Sequence, residues 1–176
     1  MALLRQEAGA GEADMTVSVR PAATRDAARI VEMARALTDY EAQASRTDAR
    51  CALTENDLMR HCFSGPPLIH ALVAEHEETL CGYVVYYRIF DTEAAAVGLW
   101  MADLFVEPSA RGRGIGRALL AALAAACKEH GAHFVGWQVV EENRDAQAFY
   151  DRYGIRDPCL SYWCDLDRFV KRLSDS

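Results

Sequence analysis

The sequence predicts an α/β fold, a mixed sheet of six or seven strands flanked by helices on both faces. Three observations predict it. Three strand-like segments follow one another between residues 68 and 106, separated by short polar turns. The last of them runs through a loop of alternating glycine and arginine into an Ala/Leu-rich helix. A further strand and helix come after it, so a meander feeds a strand–helix–strand unit, the recipe for a mixed sheet covered by helices.

The elements read as follows. Residues 16–20 (TVSVR) alternate and meet Pro21, a short first strand. Thr24 is placed to cap a helix through about residue 39, because Ala27, Ile30, Val31, Ala34 and Leu37 recur at helical spacing. Thr54, Glu55, Asn56 and Asp57 open a shorter helix with Leu58, Met59 and Cys62, broken by Gly65, Pro66 and Pro67. Residues 68–74, 80–90 and 96–106 are strands, with Glu77 and Glu78 in the first turn and residues 91–94 in the second. Residues 115–130 form a helix closed by Gly131, and 133–140 another strand. Asn143 caps a helix over 144–153 that ends at Gly154, and residues 160–166 are a last strand candidate before a short polar helix or tail.

With 176 residues and 51% hydrophobic content the chain is long enough for one domain, over 16–176, behind a flexible leader at 1–15 in which Met15 is an alternative start. The leader lacks the apolar core of about 7–15 residues that a secretory signal needs. No apolar run reaches the ~20 residues of a bilayer span. A net charge of −7 disfavours nucleic acid as a partner and suits a cationic one. Six cysteines without a C-x-x-C pair fit a reduced, cytoplasmic protein. His61, Cys62, His70, His76 and Cys81 are grouped in sequence, but their gaps match no regular metal spacing, so no metal is expected.

The sharpest feature is the loop Arg111, Gly112, Arg113, Gly114, Ile115, Gly116, Arg117 after Pro108, Ser109 and Ala110. Glycine lets a backbone approach a ligand closely and adopt positive φ. The N–H groups that open a helix attract an anion, and arginines add charge and donors. The loop therefore reads as a pyrophosphate cradle. It lacks the Gly-Lys-Ser/Thr of a P-loop and the third glycine of a dinucleotide fingerprint.

That loop resembles the coenzyme A loop, Arg/Gln-x-x-Gly-x-Gly/Ala, of the GCN5-related N-acetyltransferases, and the element order resembles their fold over about residues 16–170. The resemblance implies acetyl-CoA as cosubstrate. It also implies a bulged strand at 103–106, where Leu104, Phe105 and Val106 offer backbone N–H groups to the pantetheine arm and thioester. Asn143 and Tyr150 fall on the family's second cofactor motif.

Within the family, LTDYE at 37–41, LTENDL at 53–58, HALVAE at 70–75, GYVVYYRIFD at 82–91 and NRDAQAFY at 143–150 are similar to the diamine and thialysine acetyltransferases. By that similarity Tyr40 and Glu41, after the first helix, bind the amine, with Asp91 and Asp103 flanking it. A homodimer is implied as well. The subfamily carries Glu-Asp on its fourth strand, the Glu being the proposed base; here the pair is Ala102-Asp103.

The expected reaction is direct acetyl transfer to a primary amine of a small molecule such as a polyamine, a diamine or a lysine analogue. A protein or peptide acceptor, or an acetyl-CoA sensor without catalysis, are the competing readings. An amine with a pKa of about 10.4 must lose a proton, at a cost of roughly 4–5 kcal/mol at pH 7. A water linked to Asp103 or Asp91 takes that proton, and Tyr150 serves the leaving thiolate. Glu141 and His133 are spare bases. Against these roles stand plainer ones: a core ring for Tyr150, a bulge acceptor for Asp103, and surface charges for Glu41 and Asp91.

Overall fold

The computed structural model describes residues 17–159, 161 and 165–174. The chain divides into two compact units, Met1–Asn143 and Arg144–Ser176. Among the described residues no helix is long and apolar enough to cross a membrane. The expected leader at 1–15 lies outside the described residues.

The first unit is built on a sheet of five strands in the order β1-β2-β3-β4-β5. These are β1 (Ser18–Pro21), β2 (His70–His76), β3 (Thr79–Asp91), β4 (Ala96–Val106) and β5 (Phe134–Trp137). The first four are antiparallel neighbours, and β5 joins β4 in parallel, so the sheet is mixed. Among the described residues five strands stand where six or seven were expected. Of the expected strand at 160–166, Leu160, Tyr162, Trp163 and Cys164 lie outside the described residues, and Leu166 opens a helix instead. The β2–β3 turn is as tight as its two glutamates suggest: Glu77 and Glu78 both take positive φ, 47° and 62°. That is the handedness that matches the twist of the flanking strands.

Helix α1 (Ala27–Ser45) starts later and ends later than its pattern suggests. A short 3-10 turn, Thr24–Asp26, comes first. Asp26, not Thr24, governs the start: its Oδ2 accepts from the Ala23 N–H at 2.7 Å. The Arg20 guanidinium holds the same carboxylate at 2.6 and 3.1 Å and reaches Glu75 at 2.8 Å, which fastens β1, β2 and the helix start together. At its far end α1 continues to Ser45, and Tyr40 and Glu41 are therefore on the helix and not beyond it. Helix α2 (Glu55–Leu58) opens with Thr54 Oγ1 accepting from the Asp57 N–H and Asp57 accepting from the Thr54 N–H, a reciprocal cap, and runs on as a π turn over Met59–Phe63.

Alternation along the strands puts α1 and α3 (Ile115–Glu129) on opposite faces. Ala71, Val73, Tyr83 and Val85 pack in one core with Ile30, Met33 and Ala34 of α1 and Leu58 of α2. Gly82 faces the other way. A side chain there would meet Leu119 Cδ1 at 3.3 Å and the Phe105 carbonyl at 2.8 Å, so glycine lets α3 lie close on the sheet.

In the second unit, α4 (Arg144–Tyr150) gives way to a turn, with Gly154 N donating to the Tyr150 carbonyl at 3.0 Å. Arg156 grips Asp151 with two bonds of 2.8 and 2.7 Å. Helix α5 (Leu166–Ser174) follows.

Candidate active site

The site begins with an irregularity in β4. Val85 pairs with Asp103, but Tyr86 pairs with Met101, which leaves Ala102 as an extra residue. This bulge starts one residue before the expected span at 103–106. Pairing with β5 also stops here: the parallel ladder runs from Gly98↔Phe134 to Met101↔Trp137 and goes no further. From Asp103 to Val106, among the described residues, β4 is paired in the ladder to β3 only. An extra residue bends a strand and re-aims its side chains, and a strand that parts from its neighbour exposes backbone donors. Residues 103–106 are thus unpaired with the segment that follows Trp137.

A cavity of about 360 Å³ opens beside the bulge. One wall is α1, whose Ala34, Leu37, Thr38 and Glu41 share a face at helical spacing. Ala102 and Asp103 form another, and Cys51, Leu53, Leu58, Ile69 and Val85 complete it. The lining is apolar apart from Thr38 and the two carboxylates. Small-molecule sites are commonly of this kind, an apolar pocket with a few placed polar groups.

The two carboxylates feel their setting. Burial pushes the Asp103 carboxyl above the usual range, and the Tyr83 hydroxyl, donating to its Oδ2 at 3.1 Å, pulls it partly back. Glu41, half-buried, is raised by burial and then by the negative charge of Asp103. Tyr83 is fully buried, and burial with Asp103 beside it raises its pKa far beyond neutrality, so it remains a donor.

The glycine loop adopts the backbone its composition allows. Gly112 and Gly114 have φ of 77° and 80°, and a side chain built on either meets nothing within 4 Å, so the loop faces open space. Gly114 is the N-cap of α3, and the first helical bond runs from the Ala118 N–H to its carbonyl at 2.9 Å. The N–H groups of Ile115, Gly116 and Arg117 therefore have no acceptor within the helix. Arg111 is exposed and folds back on the end of β4. Its Nε donates to the Val106 carbonyl at 3.0 Å, and its guanidinium lies over the rings of Tyr40 at 5.2 Å and Phe105 at 5.9 Å. Positive-φ glycines, a helix start and a strand edge free of β5 are what a pyrophosphate with an extended arm requires, and these residues fit that shape.

Other residues singled out in the sequence have settings of their own. Asp91 Oδ1 accepts from the N–H groups of Glu93 and Ala94 at 2.8 and 2.9 Å in the β3–β4 turn, outside the cavity lining that holds Glu41 and Asp103. His133 and Glu141 are exposed. Asn143 is buried and its N–H donates to the Val140 carbonyl at 2.9 Å. Tyr150, in the second unit, packs its ring edge-on to Phe149 at 5.1 Å. His70 stacks on Tyr86 at 5.2 Å, and Cys81 donates to the Ala74 carbonyl. Sequence reasoning missed Tyr83, Thr38 and Cys51. Period-two alternation puts Tyr83 on the α1 face, but its hydroxyl partner follows only from the β3–β4 register.

Comparison with known proteins agrees with this geometry. The thialysine N-epsilon-acetyltransferase of Sus scrofa is 28% identical over 150 residues, covering 81% of this chain and 85% of the relative. An integron cassette protein from the mobile metagenome of V. cholerae superposes with a TM-score of 0.70 at 23% identity, over 92% of this chain and 99% of that one. An aminoglycoside acetyltransferase from a soil metagenome, solved with sisomicin, gives a TM-score of 0.68 at 16% identity, over 85% and 96%. These two structures share the fold. The model of the acetyltransferase (GNAT) family matches residues 31–155, which take in the cavity, the bulge and the glycine loop, and the chain belongs to that family as an acyltransferase.

Proposed function

We propose that the chain transfers the acetyl group of acetyl-CoA to a primary amine of a small molecule, with a lysine analogue or diamine as the first acceptors to try. One observation carries the reading: an apolar cavity beside the β4 bulge with two carboxylates, Glu41 and Asp103, in its wall. An ammonium group is attracted there, and its carbon chain is accommodated by the leucines and isoleucine. The similarity to the thialysine enzyme supports the same class of acceptor.

In this reading acetyl-CoA is a substrate held by Arg111, Gly112, Arg113, Gly114, Ile115, Gly116 and Arg117 at the pyrophosphate. The backbone of Leu104, Phe105 and Val106 lies along the pantetheine arm, and Asn143 and Tyr150 come from the second motif. Backbone N–H groups at the bulge stabilise the developing oxyanion, and Tyr150 donates to the departing sulfur. Asp103, Glu41 and Tyr40 bind and orient the amine. Holding both substrates in register contributes a large part of the rate. The protein works as a homodimer in the cytoplasm, and light scattering at micromolar concentration checks its mass.

A turnover assay that detects free thiol, run over diamines, polyamines, lysine analogues, aminoglycosides and peptides, tests the proposal. Turnover of small amines above peptides supports it. Turnover of peptides alone transfers the reading to a protein acceptor, and tight acetyl-CoA binding with no turnover transfers it to a sensor.

A further inference from the structure

Ala102 puts only a methyl group on the cavity wall at the bulge, so the amine proton must go to one of the acids that line the cavity. We propose that Glu41 is the general base, paired with Asp103 as a two-carboxylate unit that accepts one proton, and that Tyr83 is the positioning residue that keeps Asp103 the anionic member. The inference rests on the amine-acceptor reading above.

Three observations carry it. Glu41 and Asp103 line one cavity, on facing elements, α1 and the β4 bulge. The Tyr83 hydroxyl donates to Asp103 Oδ2 at 3.1 Å from a fully buried ring. Among the described residues the ionisable groups around the pair are Tyr83, behind Asp103, and Cys51, on the wall, and no arginine or lysine lines the cavity to neutralise them. Two carboxylates in one weakly solvated space resist double ionisation, so together they bind a proton more readily than either does in water. The hydrogen bond from Tyr83 favours the charged form of Asp103. When the pair takes up a proton, that bond directs it to Glu41.

An arriving ammonium is drawn to the pair while both carboxylates are charged. An N–H bond of the ammonium breaks and an O–H bond forms on Glu41, and the nitrogen keeps the electron pair. That pair forms the N–C bond to the acetyl carbon as the C–S bond breaks, its electrons leaving with sulfur. A second nitrogen proton is lost, and one proton ends on the thiol. The balance is ammonium plus thioester to amide, thiol and one released proton.

The experiment measures kcat/KM against pH for the wild type, Glu41→Gln, Glu41→Asp and Tyr83→Phe. It uses two acceptors of different amine pKa, so that the enzyme's own acid limb is the one that stays in place. Acetyl-CoA affinity and melting temperature show that each variant is folded. Glu41→Gln is expected to lose about 10²-fold or more in kcat/KM together with the acid limb. Glu41→Asp should keep the limb at reduced rate. Tyr83→Phe removes the bond that favours the Asp103 anion, so the pair takes its proton at higher pH and the limb moves upward. A folded Glu41→Gln with the wild-type limb, or a Tyr83→Phe limb that does not move, overturns the assignment and leaves the amine-acceptor reading standing. A wild type that acetylates no amine overturns both.

Discussion

The guanidinium of Arg111 lies over the ring of Tyr40, 5.2 Å from its centroid, while its Nε donates to the Val106 carbonyl at 3.0 Å. One side chain thus ties the glycine loop to the C-terminal half of α1 and to the end of β4. A planar cation with a fixed fork can do this, and a lysine cannot. Arg111→Lys should therefore weaken acetyl-CoA binding about fivefold, on the scale of ~1 kcal/mol for an exposed cation–π contact. It should raise the KM for the amine as well. Calorimetry for the first and steady-state kinetics for the second check it; an effect on neither would mean that Arg111 only decorates the loop.

Gly114→Val tests the cradle itself. The residue takes a φ of 80°, which β-branched side chains resist, and no protein atom stands within 4 Å of the added carbon. The substitution strains the helix cap and fills the open space in front of it. We expect acetyl-CoA affinity to fall tenfold or more, with a melting temperature lowered by only a few degrees, since strain of this kind costs about 1–3 kcal/mol. Undiminished affinity by calorimetry would place the pyrophosphate elsewhere.

Tyr150→Phe keeps the ring against Phe149 and removes the hydroxyl. If that hydroxyl serves the leaving sulfur, kcat drops by about 10²-fold while acetyl-CoA affinity holds. A variant as active as the wild type at every pH would reduce Tyr150 to packing.

The carboxylates make opposite predictions for stability. Asp26, gripped by Arg20 and bonded to the Ala23 N–H, has its pKa lowered, first by the Arg20 hydrogen bond. Its contribution is fully present above the unfolded value of about 3.9 and is lost as pH falls through the lower folded value. Asp26→Asn should cost about 1–3 kcal/mol at neutral pH, and the gap to the wild type should close in acid. Glu41 is raised, by burial and then by Asp103, so the folded state binds its proton more tightly and stability declines as pH rises past the ordinary carboxylate value. Glu41→Gln should therefore melt higher than the wild type at pH 7, with the difference vanishing in acid, while its activity falls. Thermal melts across acid and neutral pH check both signs.

Much of this protein was legible in the chain because its signals are local. The Arg111 to Gly116 loop carries its own conformational requirement, and β4 was bounded correctly, at Ala96–Val106, by the polar turn before it and the glycine loop behind it. Thr54 and Asp57 announced their reciprocal cap by spacing. Other features needed the fold. The end of α1 was set too early, since residues 40–45 show little apolar periodicity and the helix persists there by propensity and by packing of its cavity face. Asp26 displaced Thr24 at the helix start because Arg20, across β1, holds it, a long-range ion pair that no local pattern reveals.

By itself the sequence determined the fold class and the backbone of the glycine loop, since composition, period and glycine placement act within a few residues of themselves. Tertiary structure alone decided which acids share a cavity. Asp91 spends its carboxylate on two turn N–H groups, while Glu41 and Asp103 come together across α1 and the β4 bulge. It also decided that Tyr83 is the partner of Asp103, because the one-residue slip at Ala102 resets which β4 side chains face the α1 side of the sheet. A bulge costs one residue in the chain and leaves no periodic mark, yet it turns the side chains beyond it to the other face.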